Sequence, residues 1–306
     1  MSRGLVQCVP NYSEGRRQEV IDAIVAPFRS AGGVHLLDWR ADPDHNRLVV
    51  TLVGSPQPLQ DALLDSARAA IASIDLRTHV GAHPRIGAVD VIPFVPLRGV
   101  SMQECVALAR SFATRYARET GVPVYLYEEA ALRPERRNLE AVRRGQFEAL
   151  VKEIRNPDRA PDAGEARVHP SAGATVIGAR QFLVAFNINL RSRDIAAARA
   201  IARTIRASGG GLSHVKAVGV ELQHKGMVQV SINITDFRIN PLHEVLECVR
   251  KEAAVRGIEV AETQIYGLVP AEALVAAAVR SLLLTGFESA QVLDLRLLDL
   301  LGQGEQ

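Results

Sequence analysis

Apolar residues recur along the chain in two rhythms, and the alternation between them divides it into elements. Residues 4–9 form a short apolar run that predicts a strand. Val20, Ile21, Ile24, Val25 and Phe28 then share one face at helical spacing, in a helix that Ser13 could start and Gly32-Gly33 would end. Two β-rich runs at 34–39 and 48–53 flank the turn Asp42-Pro43-Asp44-His45-Asn46. Ser55-Pro56 is an N-cap followed by proline at the first helical position, opening a helix to about Ile74. A strand at 88–95 precedes Ser101 and Glu104, a capping box. Val100 and Cys105 occupy the hydrophobic-staple positions of that cap, so Cys105 reads as a packing residue rather than a nucleophile. The helix ends near Gly121, and 122–127 is a further strand.

The pattern then breaks and restarts. Residues 156–180 crowd prolines and glycines into a stretch with few core positions, read as a linker or a functional loop. After it come a strand at 181–190, a helix at 194–207 closed by Gly209-Gly210-Gly211, and strands at 215–222 and 227–235. The last two join at a hairpin turn, His224-Lys225-Gly226. A helix entered at Asn240-Pro241 and ended by Gly257, a strand at 258–266 and two C-terminal helices complete the chain. Each half thus begins β-α-β-β-α-β, the split βαβ unit. The expected fold is α+β: two ferredoxin-like lobes, 1–178 and 179–306, each with helices on one face of its sheet and a ligand groove between them.

Composition removes several classes of function. The 306 residues are 47% hydrophobic and 23% charged, which suits one core per domain. Net charge is +2 and no basic stripe interleaves with aromatics, so a nucleic-acid partner is not expected. The arginine-rich segment 133–159 carries acids among its cations and reads as a solvated helical face. Cys8, Cys105 and Cys248 form no disulfide framework, and neither a signal peptide nor a membrane-spanning run is seen, so a cytoplasmic, membrane-free protein is expected.

Candidate chemistry concentrates at 79–87, His-Val-Gly-Ala-His-Pro-Arg-Ile-Gly. Glycine permits close backbone approach and proline stiffens the chain, so the segment could fix imidazole and guanidinium groups on a rigid loop. The alternative is a surface loop with incidental histidines. His79 and His83 are four apart, but Gly81 and Pro84 argue against the helix that would aim both at a zinc ion; no metal is expected. Asp42 and Asp44 could orient a histidine or meet a substrate cation, or simply form a turn. Asn11-Tyr12-Ser13-Glu14-Gly15 is a third polar cluster. His169 and His214 rank below these. The run 173–180 lacks the Gly-Lys-Ser/Thr ending of a phosphate loop, and no GxGxxG joins a strand to a helix, so no nucleotide cofactor is indicated.

Five co-linear blocks carry a family resemblance: CVPNYSEG at 8–15, DPDHNR at 42–47, GAHPRIGAVDVIPFVP at 81–96, VPVYLYEEAA at 122–131 and GARQFLVAFNINL at 178–190. Together they resemble the glutamate formiminotransferases, including the transferase half of the bifunctional formiminotransferase–cyclodeaminases of histidine breakdown. The resemblance implies a stand-alone homodimeric transferase, with two α/β subdomains enclosing a folate groove. It implies transfer of the formimino group from N-formimino-L-glutamate to N5 of tetrahydrofolate, the co-substrate. Its catalytic histidine, the one before Pro-Arg, falls on His83. Its folate loop falls on 164–173, with Gly164, His169, Pro170, Ser171, Ala172 and Gly173. Arg47, Arg85 and Arg180 are expected to hold carboxylates, and Asn11 and Asn187 to contact ligand. One position departs from the mammalian pattern: two residues after Asp38, where relatives have an acid, this chain has Arg40, so either Asp42 or Asp44 orients His83 or the histidine is tuned otherwise. Transfer from formimino-glycine or formyl-glutamate, or folate binding without turnover, are the alternative functions.

Overall fold

The computed structural model describes residues 4–81, 83–222 and 225–303. The chain divides into two compact units, up to Arg180 and from Gln181 onward.

The first unit holds a seven-stranded sheet. Its first strand is interrupted into β1 (Leu5–Cys8) and β2 (Asn11–Tyr12), because Pro10 between them has no N–H for the ladder. β3 (Val34–Asp42) and β4 (Arg47–Gly54) form a hairpin on one side, and β5 (Val89–Arg98) lies on the other, all antiparallel. Helices α1 (Gln18–Ser30), α2 (Pro56–Ser73) and α3 (Met102–Thr120) connect these strands and pack on one face. The split βαβ pattern is therefore present, and the sheet then continues. β6 (Val124–Glu128) and β7 (Thr175–Ala179) add two parallel strands, with β7 between β5 and β6.

β7 lies in the stretch read as loop from its glycines. Its core, Thr175-Val176-Ile177, is β-branched and wholly buried, the signature of a central parallel strand. Because it runs to Ala179, a boundary at 178 would cut it. A second correction concerns the other face of this sheet. Short helices α4 (Leu139–Val142) and α5 (Gln146–Glu153) bring Val142, Leu150 and Ile154 against Val91, Tyr125, Tyr127 and Val176. Alternate residues Val124 and Leu126 face the α3 side, so the sheet is covered on both faces at this end. Segment 133–159 is accordingly solvated on one side only: Arg137, Arg144 and Glu148 are exposed, whereas Arg136 is 5% exposed, pairs with Asp162 and stacks over Tyr125.

The second unit has β8 (Val184–Leu190), α6 (Ile195–Ile205), β9 (Val215–Leu222), β10 (Met227–Ile234), α7 (Leu242–Ala254) and β11 (Val260–Tyr266). The order β11-β8-β10-β9, all antiparallel, is the ferredoxin-like arrangement expected. Alternation is strict here. Val184, Phe186, Ile188, Leu190, Val228, Val230, Ile232 and Ile234 meet the helices, while Asn187, Asn189, Gln229, Ser231 and Asn233 form the opposite face. Gln229 donates to Asn189, whose amide donates to Glu262, at 2.8 Å each. Helices α8 (Ala271–Ser281) and α9 (Leu293–Gln303) follow. His224 of the expected hairpin turn lies outside the described residues.

The staple and capping box at Ser101 form as the sequence indicates, with Cys105 fully buried beneath them. Ser13, in contrast, caps nothing. α1 begins at Gln18, and Glu14 accepts from the backbone N–H groups of Arg16 and Arg17 at 2.9 Å each.

Candidate functional site

Three polar segments of the sequence meet at one place. Asn46, held at φ 48°, is their junction. Its side-chain oxygen accepts from Gly15 N–H at 2.9 Å, its amide donates to Val80 O at 3.1 Å, and its own carbonyl accepts from His79 Nε2 at 3.2 Å. Ser13 donates from its hydroxyl to Gly87 O at 2.7 Å and from its N–H to Ala88 O at 2.9 Å. The 11–15, 42–47 and 79–88 segments are thereby one assembly.

The 169–173 turn joins it. His169 and Gly173 exchange backbone hydrogen bonds at 3.1 Å, and Ala172 N–H donates to His169 Nδ1 at 3.1 Å. Gly173 bridges to Gly87, Ala88 N–H donates to Ala172 O, and Leu76 N–H donates to Ser171 O. A Cβ at Gly173 would collide with Ile86 O, and one at Gly87 with Ala174 O. Gly81 and Gly15 show the same closeness to the His45 and Asp42 carbonyls. These glycines let four backbones touch. Gly164, at the other end of the expected folate loop, packs on Pro123, and the run Gly164–Arg167 is exposed.

Arg85 does not offer a fork to ligand. Nε donates to His79 Nδ1 at 3.2 Å, one terminal nitrogen to Gln146 at 3.2 Å and Glu148 at 3.0 Å, the other to His79 O at 3.2 Å and Glu148 at 2.8 Å. All five guanidinium donors are occupied. Arg85 is instead a clamp between the loop and α5. It also fixes the state of His79: guanidinium only donates, so Nδ1 accepts and Nε2 carries the proton. Burial and the Arg85 charge hold His79 below its ordinary pKa, as a neutral structural ring.

His83 is different. Burial pushes its pKa down to about 2, helped by Arg47, Arg143, His45 and His79 around it. Arg143 follows α4, pairs with buried Asp90, and Asp90 accepts Ile86 N–H with its other oxygen at 2.8 Å. Thus a cation from the segment taken as solvated is fixed to the loop that carries His83. Asp42, expected to orient His83, accepts from His45 Nδ1 at 2.8 Å and from the backbone N–H groups of Asp44 and His45. Asp44 is exposed, with its backbone N–H turned to Asp42. Arg40 donates to Asp38 at 3.0 Å and so engages the acid that remains.

Asn11 donates to Val9 O at 3.0 Å from β2, next to the junction. Arg180 donates its N–H to Phe94 O at 3.0 Å, at the end of the first unit. Asn187 is in the second unit, on the polar face of β8, and accepts from Ile232 N–H at 3.4 Å. Among the described residues no group of three or more His, Cys, Asp or Glu could hold a metal ion, and no helix is long and apolar enough to cross a membrane. Asp90, Arg143, Gln146 and Glu148 escaped the sequence reading, which saw Asn46 only as a turn residue. Asn46 alone had a local signal, an asparagine in a turn that needs positive φ.

An α+β protein of two sheet-bearing units, with a neutral, cation-flanked histidine on a loop fused to a glycine-bounded turn, is the class that fold and site define. The model of the formiminotransferase domain's N-terminal subdomain matches residues 5–180, and that of the formiminotransferase domain matches 185–282. The chain belongs to the formiminotransferase family. It is 46% identical to the glutamate formimidoyltransferase of Streptococcus pyogenes, covering 89% of this chain and 91% of that one. It is 44% identical to the glutamate formimidoyltransferase of Thermoplasma acidophilum, covering 95% and 96%. With the formimidoyltransferase-cyclodeaminase of Rattus norvegicus it shares 48% identity over 90% of this chain, but spans only 52% of that longer relative.

Proposed function

We propose that the protein transfers the formimino group of N-formimino-L-glutamate to N5 of tetrahydrofolate, with His83 as general acid and base. The carrying observation is near full-length similarity to free-standing glutamate formimidoyltransferases, 46% identical across 91% of one of them. N5 attacks the amidine carbon and forms the new C–N bond. His83, neutral in the free protein, takes the N5 proton. The tetrahedral intermediate then breaks its bond to the glutamate nitrogen, and His83 returns a proton to that departing amine. Histidine suits both transfers because small changes in surroundings move its pKa through the working range.

The cationic setting supports the same reading. Arg47 and Arg143 depress His83. The added negative charge of a donor with two carboxylates would raise the His83 pKa and let the ring carry a proton through the intermediate. Tetrahydrofolate enters as co-substrate, with the turn at 169–173 and Asn11 as its expected contacts in the first unit. Homodimer formation and a cytoplasmic location belong to this reading; sedimentation and fractionation test them.

The deciding experiment is an assay with formiminoglutamate and tetrahydrofolate, beside formimino-glycine and formyl-glutamate. His83→Ala should lower kcat by about 100-fold or more, the usual size of acid–base catalysis, with circular dichroism unchanged. Wild-type turnover by the folded variant removes His83 from the mechanism. Preference for another donor removes formiminoglutamate.

A further inference from the structure

Away from the His83 assembly, the second unit carries a groove where helix α6 overhangs β9. The groove encloses about 350 Å³ and is lined by Arg199, Ala202, Arg203, Arg206, Val218 and Gly219. Its charged lining is entirely arginine. Among the described residues, no ion pair or hydrogen bond engages the side chain of Arg199, Arg203 or Arg206. Arg206 Nε is buried and unbonded, a donor that a docked acceptor would satisfy.

The floor of the groove is a sheet edge. β9 is the terminal strand in the order β11-β8-β10-β9 and pairs only with β10 among the described residues. It is eight residues long, and Val218 at its middle is 54% exposed. An open edge presents unpaired backbone N–H and C=O groups, a template for another strand. The helix is unusually close here: a Cβ at Gly219 would lie 2.5 Å from Arg199 N. Gly219 therefore lets the arginine-bearing backbone of α6 rest directly on the edge strand.

We propose that this groove binds an extended acidic segment of another protein, which adds to β9 as a fifth strand and places its acids under Arg199, Arg203 and Arg206. Spacing agrees with this occupant. Along the helix axis Arg199 and Arg203, four apart, are separated by about 6 Å, and Arg203 and Arg206, three apart, by about 4.5 Å. Side chains on one face of a strand recur every about 6.8 Å. Alternate acids on an added strand would thus meet successive arginines, whose long side chains absorb the difference. Main-chain bonds give such strand addition its affinity, and the side chains on one face give it selectivity. A second copy pairing β9 to β9 would instead bring two arginine rows together, which like-charge repulsion opposes. Nucleic acid is disfavoured because no aromatic residue lines the groove for base stacking.

The test uses the full chain and a short fluorescent peptide in which glutamate alternates with threonine. Anisotropy should report binding that weakens at about 1 M salt, where the screening length is about 3 Å. Arg199→Glu with Arg203→Glu should weaken it about tenfold or more, since reversed rim charges repel the acids. Melting temperature and formimino transfer should stay at wild-type values. A peptide alternating glutamate with proline keeps the charge but lacks half the ladder donors, and should not bind. Equal binding of the proline peptide, or displacement by millimolar phosphate or free glutamate, would assign the groove to a small anion and overturn the proposal. Displacement by a single-stranded oligonucleotide, self-association lost in the double variant, or no binding of the threonine peptide would overturn it as well.

Discussion

Arg85 carries five donors, and the structure commits each of them to His79, Gln146 or Glu148. From sequence it resembled a carboxylate fork; only the fold reveals Glu148, 63 residues away, as its partner. The two roles separate experimentally. Arg85→Lys should lower stability by about 1–3 kcal/mol, because a buried ammonium with three donors cannot replace the five bonds of the buried Arg85 guanidinium. Glu148→Gln should reproduce part of that loss, and neither change should raise KM for the donor more than it lowers kcat. A KM effect confined to Arg85→Lys would return Arg85 to the binding role. His83 makes a second prediction. Unfolded histidine protonates below about pH 6.5, whereas folded His83 stays neutral to about pH 2. Between those values the unfolded state binds the extra proton, so His83 makes stability fall as pH falls. His83→Gln should therefore lose less melting temperature than wild type on going from about pH 7 to about pH 5. Equal losses would mean that His83 is not held neutral.

Among the elements, period and capping made most boundaries legible. The Ser101 box, the staple on Cys105 and the alternation of the second unit's strands needed no tertiary information. β7 was hidden because glycine and proline on either side outweighed five buried residues. The buried side of α4 and α5 was hidden because arginine reads as solvent-facing until its acid is known; Asp90 and Asp162 are those acids. The loop 164–173 also divides into two behaviours. Residues 169–174 are bonded to each other and to 76 and 86–88, whereas 165–167 are exposed. Hydrogen exchange on adding tetrahydrofolate should slow at 165–168 and change little at 171–174. Unchanged exchange at 165–168 would remove that stretch from the folate site.

At the scale of the molecule, the restart of β-α-β-β-α-β after the Gly/Pro stretch made the two units legible, and both hold their own cores. The extension of the first sheet by two parallel strands was not, because strand order depends on partners distant in the chain. The second unit buries its apolar face under α6 and α7 and has amides and hydroxyls on the other. A sheet of this kind can meet water on one side. Residues 181–306 expressed alone should therefore unfold in one cooperative thermal transition while lacking transferase activity. A non-cooperative melt would show that this core depends on the first unit.

Gly15, Gly81, Gly87 and Gly173 have no side chains, yet at each one two backbones share the space a methyl group would take. In a library of all single substitutions, these positions should be as intolerant as His83. They would be lost through folding rather than chemistry, and added tetrahydrofolate or donor would not rescue them. Sequence drift around the site is thus limited by geometry on all sides, and new donor specificity has to arise at neighbouring positions such as 165–167, where the backbone is not shared.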